Sequence, residues 1–221
     1  GSNLFSARAF AQNFQKQELE QAINYAKIRG VKTHLTLNTL IKDEEFEEAC
    51  NVAKTAYEFG IDAIIVQDLG LALNLIKSFP ELEIHASTQM TTSNLEGAIK
   101  LEHLGFKRVV LSRECSLSEI EHICKNTNID IEVFAHGALC ISYSGQCIFS
   151  SMVGGRSGNR GKCAQPCRLP YSLLAQDVQI LDKGYLLSPR DLCSLENLPK
   201  LISAGVASLK IEGRMKSPTY V

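Results

Sequence analysis

The most telling features of this 221-residue chain are gaps. No apolar run approaches the roughly 18 residues that a membrane-spanning helix requires. No H-E-x-x-H helix and no G-x-S-x-G elbow is present, so the usual signatures of zinc peptidases and α/β-hydrolases are missing. Neither sign of charge dominates: 23 Lys and Arg stand against 24 Asp and Glu, for a net charge of -1. That balance argues against bulk nucleic-acid binding and leaves room for a local RNA contact. Nothing at the N-terminus reads as an export signal, so the expected compartment is the reducing cytoplasm, where thiols stay unpaired. One gap is local: between Glu132 and Asp177 there is no Asp or Glu at all, while Arg156, Arg160, Lys162 and Arg168 fall within it.

That acid-free stretch holds four of the eight cysteines within 28 positions: Cys140, Cys147, Cys163 and Cys167. Glycines at 137, 145, 154, 155, 158 and 161 lie among them, so the backbone can turn sharply between the thiols. Four thiolates from one glycine-rich excursion suit a soft metal centre, either zinc or an iron–sulfur cluster. Only the Cys163–Cys167 spacing resembles a zinc knuckle, and the open Cys140–Cys147 spacing suits a larger body. Disulfides are the alternative and require an oxidising compartment. The local cations fit two roles, holding phosphates or offsetting the negative charge of a thiolate-ligated centre.

Elsewhere the chain alternates two periods. Residues 18–29 place Leu19, Ala22, Ile23 and Ala26 on one helical face, and residues 31–40 alternate as a strand. Strand signals begin near 32, 62, 83, 107 and 130, and again near 207, with helical patterns at 43–59, 70–78, 94–103, 116–125 and 194–204. Ser116 and Glu119 have capping-box spacing. Residues 171–175 and 184–187 are expected to pair as a hairpin around Asp182, Lys183 and Gly184. Strands alternating with helices imply a parallel sheet with helical crossovers in a single α/β domain over residues 1–221. A (β/α)8 TIM-type barrel and a doubly wound open sheet share this periodicity.

The residues Glu132, Phe134, Gly137, Cys140, Gly145, Cys147 and Ser150, followed by GRSGNRGKCAQPCR, resemble the signature of peptidase family U32, the collagenase-like peptidases. The resemblance continues through SPRDLC at 188–193 and SLKIEGRMKSPTYV at 208–221. Despite that label, the proteins it resembles include oxygen-independent hydroxylation proteins with a 4Fe-4S cluster. These act on the tRNA wobble uridine, with prephenate as hydroxyl source, on a ribosomal RNA cytidine, or on the ubiquinone ring. AQPCRLPY is most similar to the tRNA 5-hydroxyuridine members. The resemblance implies Cys140, Cys147, Cys163 and Cys167 as cluster ligands, with Cys193 a rival for the fourth place. It also implies a (β/α)8 TIM-type barrel, incomplete here, with the first strands and last helix absent and residues 137–190 forming a Cys-rich insertion and hairpin after the seventh strand. A partner protein or further chain would then complete the barrel.

In parallel α/β folds chemistry gathers at the carboxyl ends of strands. Those positions hold Asn38, Gln67, Asp68, Gln89, Arg113, His136, Glu212 and Arg214. Glu212 and Arg214 follow a buried strand, where charges need partners. Arg113 and Arg214 have the fork that matches a small dicarboxylate such as prephenate. The expected catalytic set is Glu212, Arg214, Arg113 and His136. The expected substrate contacts are Asn38, Gln89, Arg156, Arg160, Lys162 and Arg168, facing tRNA or another RNA. Cys50, Cys124 and Cys115 are expected to be structural thiols. The function expected is RNA hydroxylation, with a collagenase-like peptidase and a non-catalytic metal-stapled scaffold as rivals.

Overall fold

The computed structural model describes residues 4–7, 13–176, 178–213 and 217–221. Its first half repeats one plan: α1 (Lys16–Lys27), β1 (His34–Leu37), α2 (Asp43–Glu58), β2 (Ala63–Val66), α3 (Leu69–Ser78), β3 (Glu83–Ala86), α4 (Leu95–His103), β4 (Arg108–Val110), α5 (Leu117–Asn126) and β5 (Asp130–Gly137). Side chains that compete poorly inside helices start them. Asp68 accepts from the Leu71 N–H at 2.9 Å, Asn94 from the Gly97 N–H at 2.8 Å, and Ser116 and Glu119 form the reciprocal capping box.

Beyond β5 come α6 (Phe149–Gly154), β6 (Tyr171–Ala175), β7 (Val178–Gly184), β8 (Leu192–Cys193), α7 (Leu198–Ala204) and β9 (Ser208–Glu212). Three features differ from the sequence expectation. The hairpin is β6–β7, with Ala175 paired to Val178, so Asp182 to Gly184 lie within a strand and form no turn. The shorter connection sets this register, because loop length fixes hairpin pairing. The helix expected from 194 begins with a 3-10 turn, Leu195–Asn197, ahead of Pro199 in the first turn of α7. Both α6 and β8 are too short for periodicity to reveal.

Strands β1, β2, β3, β4, β5 and β9 pair in that order, every neighbour parallel, and β8 lies antiparallel to the end of β5. A doubly wound sheet reverses its order at a switch point, and this one does not. The two faces also differ. Leu35, Leu37, Ile64, Val66, Ile84, Ala86, Val109, Leu111, Ile131 and Val133 join helix residues such as Ala53, Leu71, Ala98, Ile120 and Leu201 in one apolar core. Each large side chain there contributes about 1.5–3 kcal/mol by leaving water. Alternate residues face the other way and mix apolar Ala63, Ile65, Val110 and Phe134 with polar His85, Arg108 and Glu132. Glu132 is held by Lys210 at 2.6 Å and Arg108 at 3.4 Å, and His85 meets Glu83 at 3.1 Å and the His34 ring at 5.0 Å. Helices therefore line one face only, and the carboxyl ends of the strands share one rim.

Candidate functional site

The cysteine-bearing segment after β5 lies over that rim and is fastened to it at three places. Ser144, 3% exposed, donates from its backbone N–H and hydroxyl to Glu114 Oε1 at 2.9 and 3.2 Å. Its carbonyl accepts from Thr91 Oγ1 at 2.7 Å, and its hydroxyl oxygen accepts from the Arg113 N–H at 3.3 Å. Gly145 then packs against the Gln89 backbone with φ +74°; a Cβ there would stand 2.2 Å from the Gln89 carbonyl oxygen, so no other residue fits. The second fastening is Arg160, whose guanidinium spans both Glu45 carboxylate oxygens at 2.9 and 2.5 Å and donates to the Leu40 carbonyl at 2.5 Å. The third is Arg168, which donates to Ser188 Oγ, the Pro189 carbonyl and the Leu139 carbonyl at 2.6–2.7 Å.

Between these points Cys140, Cys147, Cys163 and Cys167 line one cavity of about 510 Å³. Local bonds set their loops: Ser150, buried on α6, accepts from the Ala164 N–H at 2.9 Å, and Tyr171 donates to the Pro166 carbonyl at 2.9 Å. The Gln165 N–H points at Cys163 Sγ, 3.3 Å away. All eight cysteines are free thiols, so the pairing that a disulfide reading requires does not occur. Burial pushes the Cys167 thiol up, and the nearby Cys140, Cys163 and Cys147 push it further, against the lowering effect of Arg168. The Cys167 sulfur thus lies within electrostatic reach of the other three.

The donor set is what a soft centre takes, yet among the described residues no three His, Cys, Asp or Glu side chains converge tightly enough to hold one metal ion. Around a single tetrahedral zinc, with Zn–S of ~2.3 Å, the sulfurs would stand about 3.8 Å apart. A 4Fe-4S cluster is also held by four thiolates, so the chemistry of this donor set suits that group too.

The same cavity receives Gln89, Arg113, Arg168, Asp191 and Glu212. Glu212 closes β9 and accepts from Arg113 Nη2 at 3.3 Å, with the two side chains 18% and 13% exposed. The Arg113 guanidinium also lies over the Phe134 ring, 3.9 Å from its centre. This sandwich fixes the plane of the fork in a partly dry site, where charge-assisted bonds are strong.

The structure separates the other expected residues. His136 is not among the cavity-lining residues; a register shift between Phe134 and His136 turns its ring onto Tyr220 at 5.0 Å. Asn38 lies at the end of β1, where it accepts from the Ala7 N–H at 2.9 Å and donates to Ser87 Oγ at 3.3 Å. Arg156 donates to the Lys162 carbonyl at 3.0 Å, and both side chains are exposed outside the cavity. Arg160 and Arg168, read from sequence as substrate contacts, spend their donors on protein acceptors. Cys193, in β8 opposite His136, lies outside the cavity lining. Arg214 falls outside the described residues. Cys115 is pushed up to about 11 by burial, with Glu119 and Glu114 adding to it, so it behaves as a structural thiol.

Sequence reasoning passed over Glu114 and Thr91, and gave Phe134 and Asp191 no role of their own. Asp191, within SPRDLC, carries no chemical signal of its own in the sequence, and the fold brings it to the cavity. Phe134 stands in the family-like signature with nothing local to mark it as the ring beneath Arg113.

The chain spans about a third to a little over half of the length of the curated relatives it matches. It is 44% identical over 218 residues to the 23S rRNA 5-hydroxycytidine C2501 synthase of Escherichia coli, covering 98% of this chain and 33% of that protein. It is 37% identical over 228 residues to tRNA hydroxylation protein P1 of Bacillus subtilis, covering 100% of this chain and 54% of that protein. A collagenase of Porphyromonas gingivalis is 36% identical over 225 residues, covering 96% and 54%. Among solved structures, a U32 peptidase superposes with a TM-score of 0.50 at 15% identity, over 60% of this chain and 57% of that one, which bears on fold alone. The Peptidase family U32 model matches residues 1–221, and the chain therefore belongs to that family.

Proposed function

We propose that this chain is the thiol-bearing part of an enzyme that hydroxylates a pyrimidine base of tRNA or ribosomal RNA without molecular oxygen. The observation that carries the reading is the meeting, in one cavity, of four free thiols with the Arg113–Glu212 pair. Relatives named for tRNA hydroxylation and for a ribosomal 5-hydroxycytidine support RNA as the substrate class. The sheet, in this reading, is part of a (β/α)8 barrel, because its strands follow one another without reversal and helices line one face only. The protein works in the cytoplasm, where its RNA is.

Cys140, Cys147, Cys163 and Cys167 would hold a 4Fe-4S cluster. Such a cluster supplies electron transfer and a place where a small donor molecule can be activated. The remaining work falls to the chain. Arg113, its plane set by Phe134 and Glu212, holds an anionic co-substrate such as the dicarboxylate prephenate. Glu212 is placed to accept a proton or hydrogen bond from the group bound beside it. Gln89 offers its amide to the base. The exposed Lys162 and the outer face around Arg156 meet RNA phosphates.

Two measurements test this. Anaerobically purified protein should carry iron and acid-labile sulfide and lose both on Cys147→Ser; a colourless protein with stoichiometric zinc overturns the cluster. Nucleoside mass spectrometry of separated tRNA and ribosomal RNA should show a hydroxylated pyrimidine that disappears on gene deletion. Wild-type protein should restore it, and Glu212→Gln should not, with iron retained. Unchanged nucleosides in both fractions would end the RNA reading. The collagenase-named relative favours gelatin hydrolysis instead; in that reading gelatinase activity survives Cys147→Ser.

A further inference from the structure

Six tyrosines occur in the chain, and four of them have a partner for the ring or the hydroxyl. Tyr25 lies under the Arg29 guanidinium, Tyr57 packs on Phe79, Tyr171 donates to the Pro166 carbonyl, and Tyr220 donates to Asp191 Oδ2 at 2.6 Å. Tyr143 and Tyr185, each 68% exposed, have no side-chain hydrogen bond, ring contact or cation among the described residues. Of these two only Tyr143 lines the cavity that holds the thiols. A phenol ring left in water forgoes the burial that usually accompanies so large an apolar body.

The backbone that carries this ring is held firmly. The Tyr143 carbonyl accepts from the Gln146 N–H at 3.1 Å, closing a turn. Within the turn Ser144 is bound to Glu114, Thr91 and Arg113, and Gly145 rests on the Gln89 backbone. Gln146 Nε2 donates to Thr91 Oγ1 at 2.8 Å. Gln89 is fixed as well: its N–H reaches Ser87 Oγ at 3.2 Å, and its carbonyl accepts from Gln67 Nε2 at 3.2 Å. The Gln89 amide makes no side-chain hydrogen bond among the described residues, and Gln89 lines the same cavity. The Gly145–Gln89 contact thus ties an exposed aromatic and an unengaged amide to one rigid junction.

We propose that Tyr143 is a stacking platform for the target pyrimidine, whose pairing edge meets the Gln89 amide. This rests on the RNA reading and names the residue that grips the base by its face. Every base offers a π-face to an aromatic side chain, and unstacked bases of single-stranded RNA are held in this way. A side-chain amide carries both a donor and an acceptor, as does the pairing edge of uracil or cytosine. The C5 atom lies away from that edge, so a base gripped there and on one face keeps C5 open to chemistry from the other face. The segment suits RNA in its charge: it has no Asp or Glu between Glu132 and Asp177, and exposed Lys162 stands between Gly161 and Cys163, which both line the cavity. Phosphates flanking the base meet that cation. Ile141, Ile148 and Met152 are exposed in the same segment. A protein partner would use them with Tyr143 as an apolar surface and would need bulk there, not an aromatic face.

The test uses the full protein with its metal centre and short single-stranded RNAs carrying the target pyrimidine. RNA with 5-iodouridine at the target position, once irradiated, should crosslink to Tyr143, read as a modified peptide by mass spectrometry. Tyr143→Ala should weaken RNA binding by about 10-fold, the scale of one base–aromatic stack, with iron content unchanged. Tyr143→Leu should lose as much, and Tyr143→Phe should stay within about twofold of wild type, because the ring and neither its hydroxyl nor its bulk makes the contact. RNA with an abasic target residue should bind wild type and Tyr143→Ala equally. Tyr185→Ala, outside the cavity, should bind each RNA as wild type does. Crosslinks that map away from Tyr143 overturn the platform, as does a Tyr143→Ala protein with wild-type affinity. Tyr143→Leu binding as wild type also overturns it and assigns the ring to an apolar contact with a protein. Wild type that neither binds nor hydroxylates any tRNA or ribosomal RNA fragment fails the RNA reading and takes this inference with it. Active wild type with an indifferent Tyr143→Ala fails the inference alone.

Discussion

Replacing Arg160 by Met should loosen the cysteine segment without unfolding the sheet. Arg160 spans both Glu45 oxygens and the Leu40 carbonyl, with the pair 32% and 23% exposed. The Arg160 bond is the leading reason that the Glu45 carboxyl falls to about 2 from 4.5, with the Lys42 N–H adding to it. At ~1.36 kcal/mol per pH unit that interval bounds the interaction at about 3.4 kcal/mol. Solvent around a pair this exposed, and the share due to Lys42, reduce the Arg160 part to about 1–2 kcal/mol. That corresponds to about 5- to 30-fold more frequent local opening. Hydrogen exchange is the assay: amides 155–168 should exchange faster by that factor, while those of β2, β3 and β4 keep their rates. The pH dependence has a definite sign. A carboxyl depressed in the folded state stabilises above its unfolded value, so the contribution is complete above about 4.5 and fades toward 2. Wild type should therefore approach the Met variant only in that acid window. Exchange unchanged in 155–168, or accelerated equally through β2–β4, would refute the assignment of Arg160 as a local fastening.

Gly145→Ala should destabilise by more than about 2 kcal/mol, through the left-handed backbone and the collision with Gln89, and lower the melting temperature by about 4–8 °C in calorimetry. Lys210→Met leaves buried Glu132, 6% exposed, without its nearest cation and with Arg108 and Ser208 as its remaining partners. It should cost about 3–5 kcal/mol in denaturant titration, most of it recovered by Glu132→Leu on the same background. His85 is fully buried and, chiefly by burial, held down at about 4 from 6.5. The unfolded chain takes up that proton first, so stability should fall as pH drops from about 6.5 to 4, and His85→Asn should flatten that slope.

The alternating part of the fold was legible because each unit carries its own punctuation. Strand 83–86 and the Ser116–Glu119 cap follow directly from local pattern. The polar character of one sheet face was hidden, since Glu132, Lys210 and Arg108 lie far apart in sequence and acquire meaning only in register. The same limit governs the site. Arg113 and Glu212 were readable as strand-end charges, and their pairing puts them in one cavity. The protein partners of Arg160 and Arg168 were not legible, because a cation among glycines looks the same whether it meets a phosphate or a carbonyl. Asp191 and Tyr220 carried no signal alone; their partnership depends on a two-residue strand and a folded-back tail.

The three fastenings of the cysteine segment reach different strands: Arg160 the β1 end, Ser144 the turns after β3 and β4, Arg168 the exit of β5. The segment that carries the thiols is therefore strung across the rim, as a strap buckled at both sides and the middle. Their mutual spacing is then a property of the whole scaffold, so a distant substitution that changes how strands splay will be felt as a change in grip on whatever the sulfurs enclose.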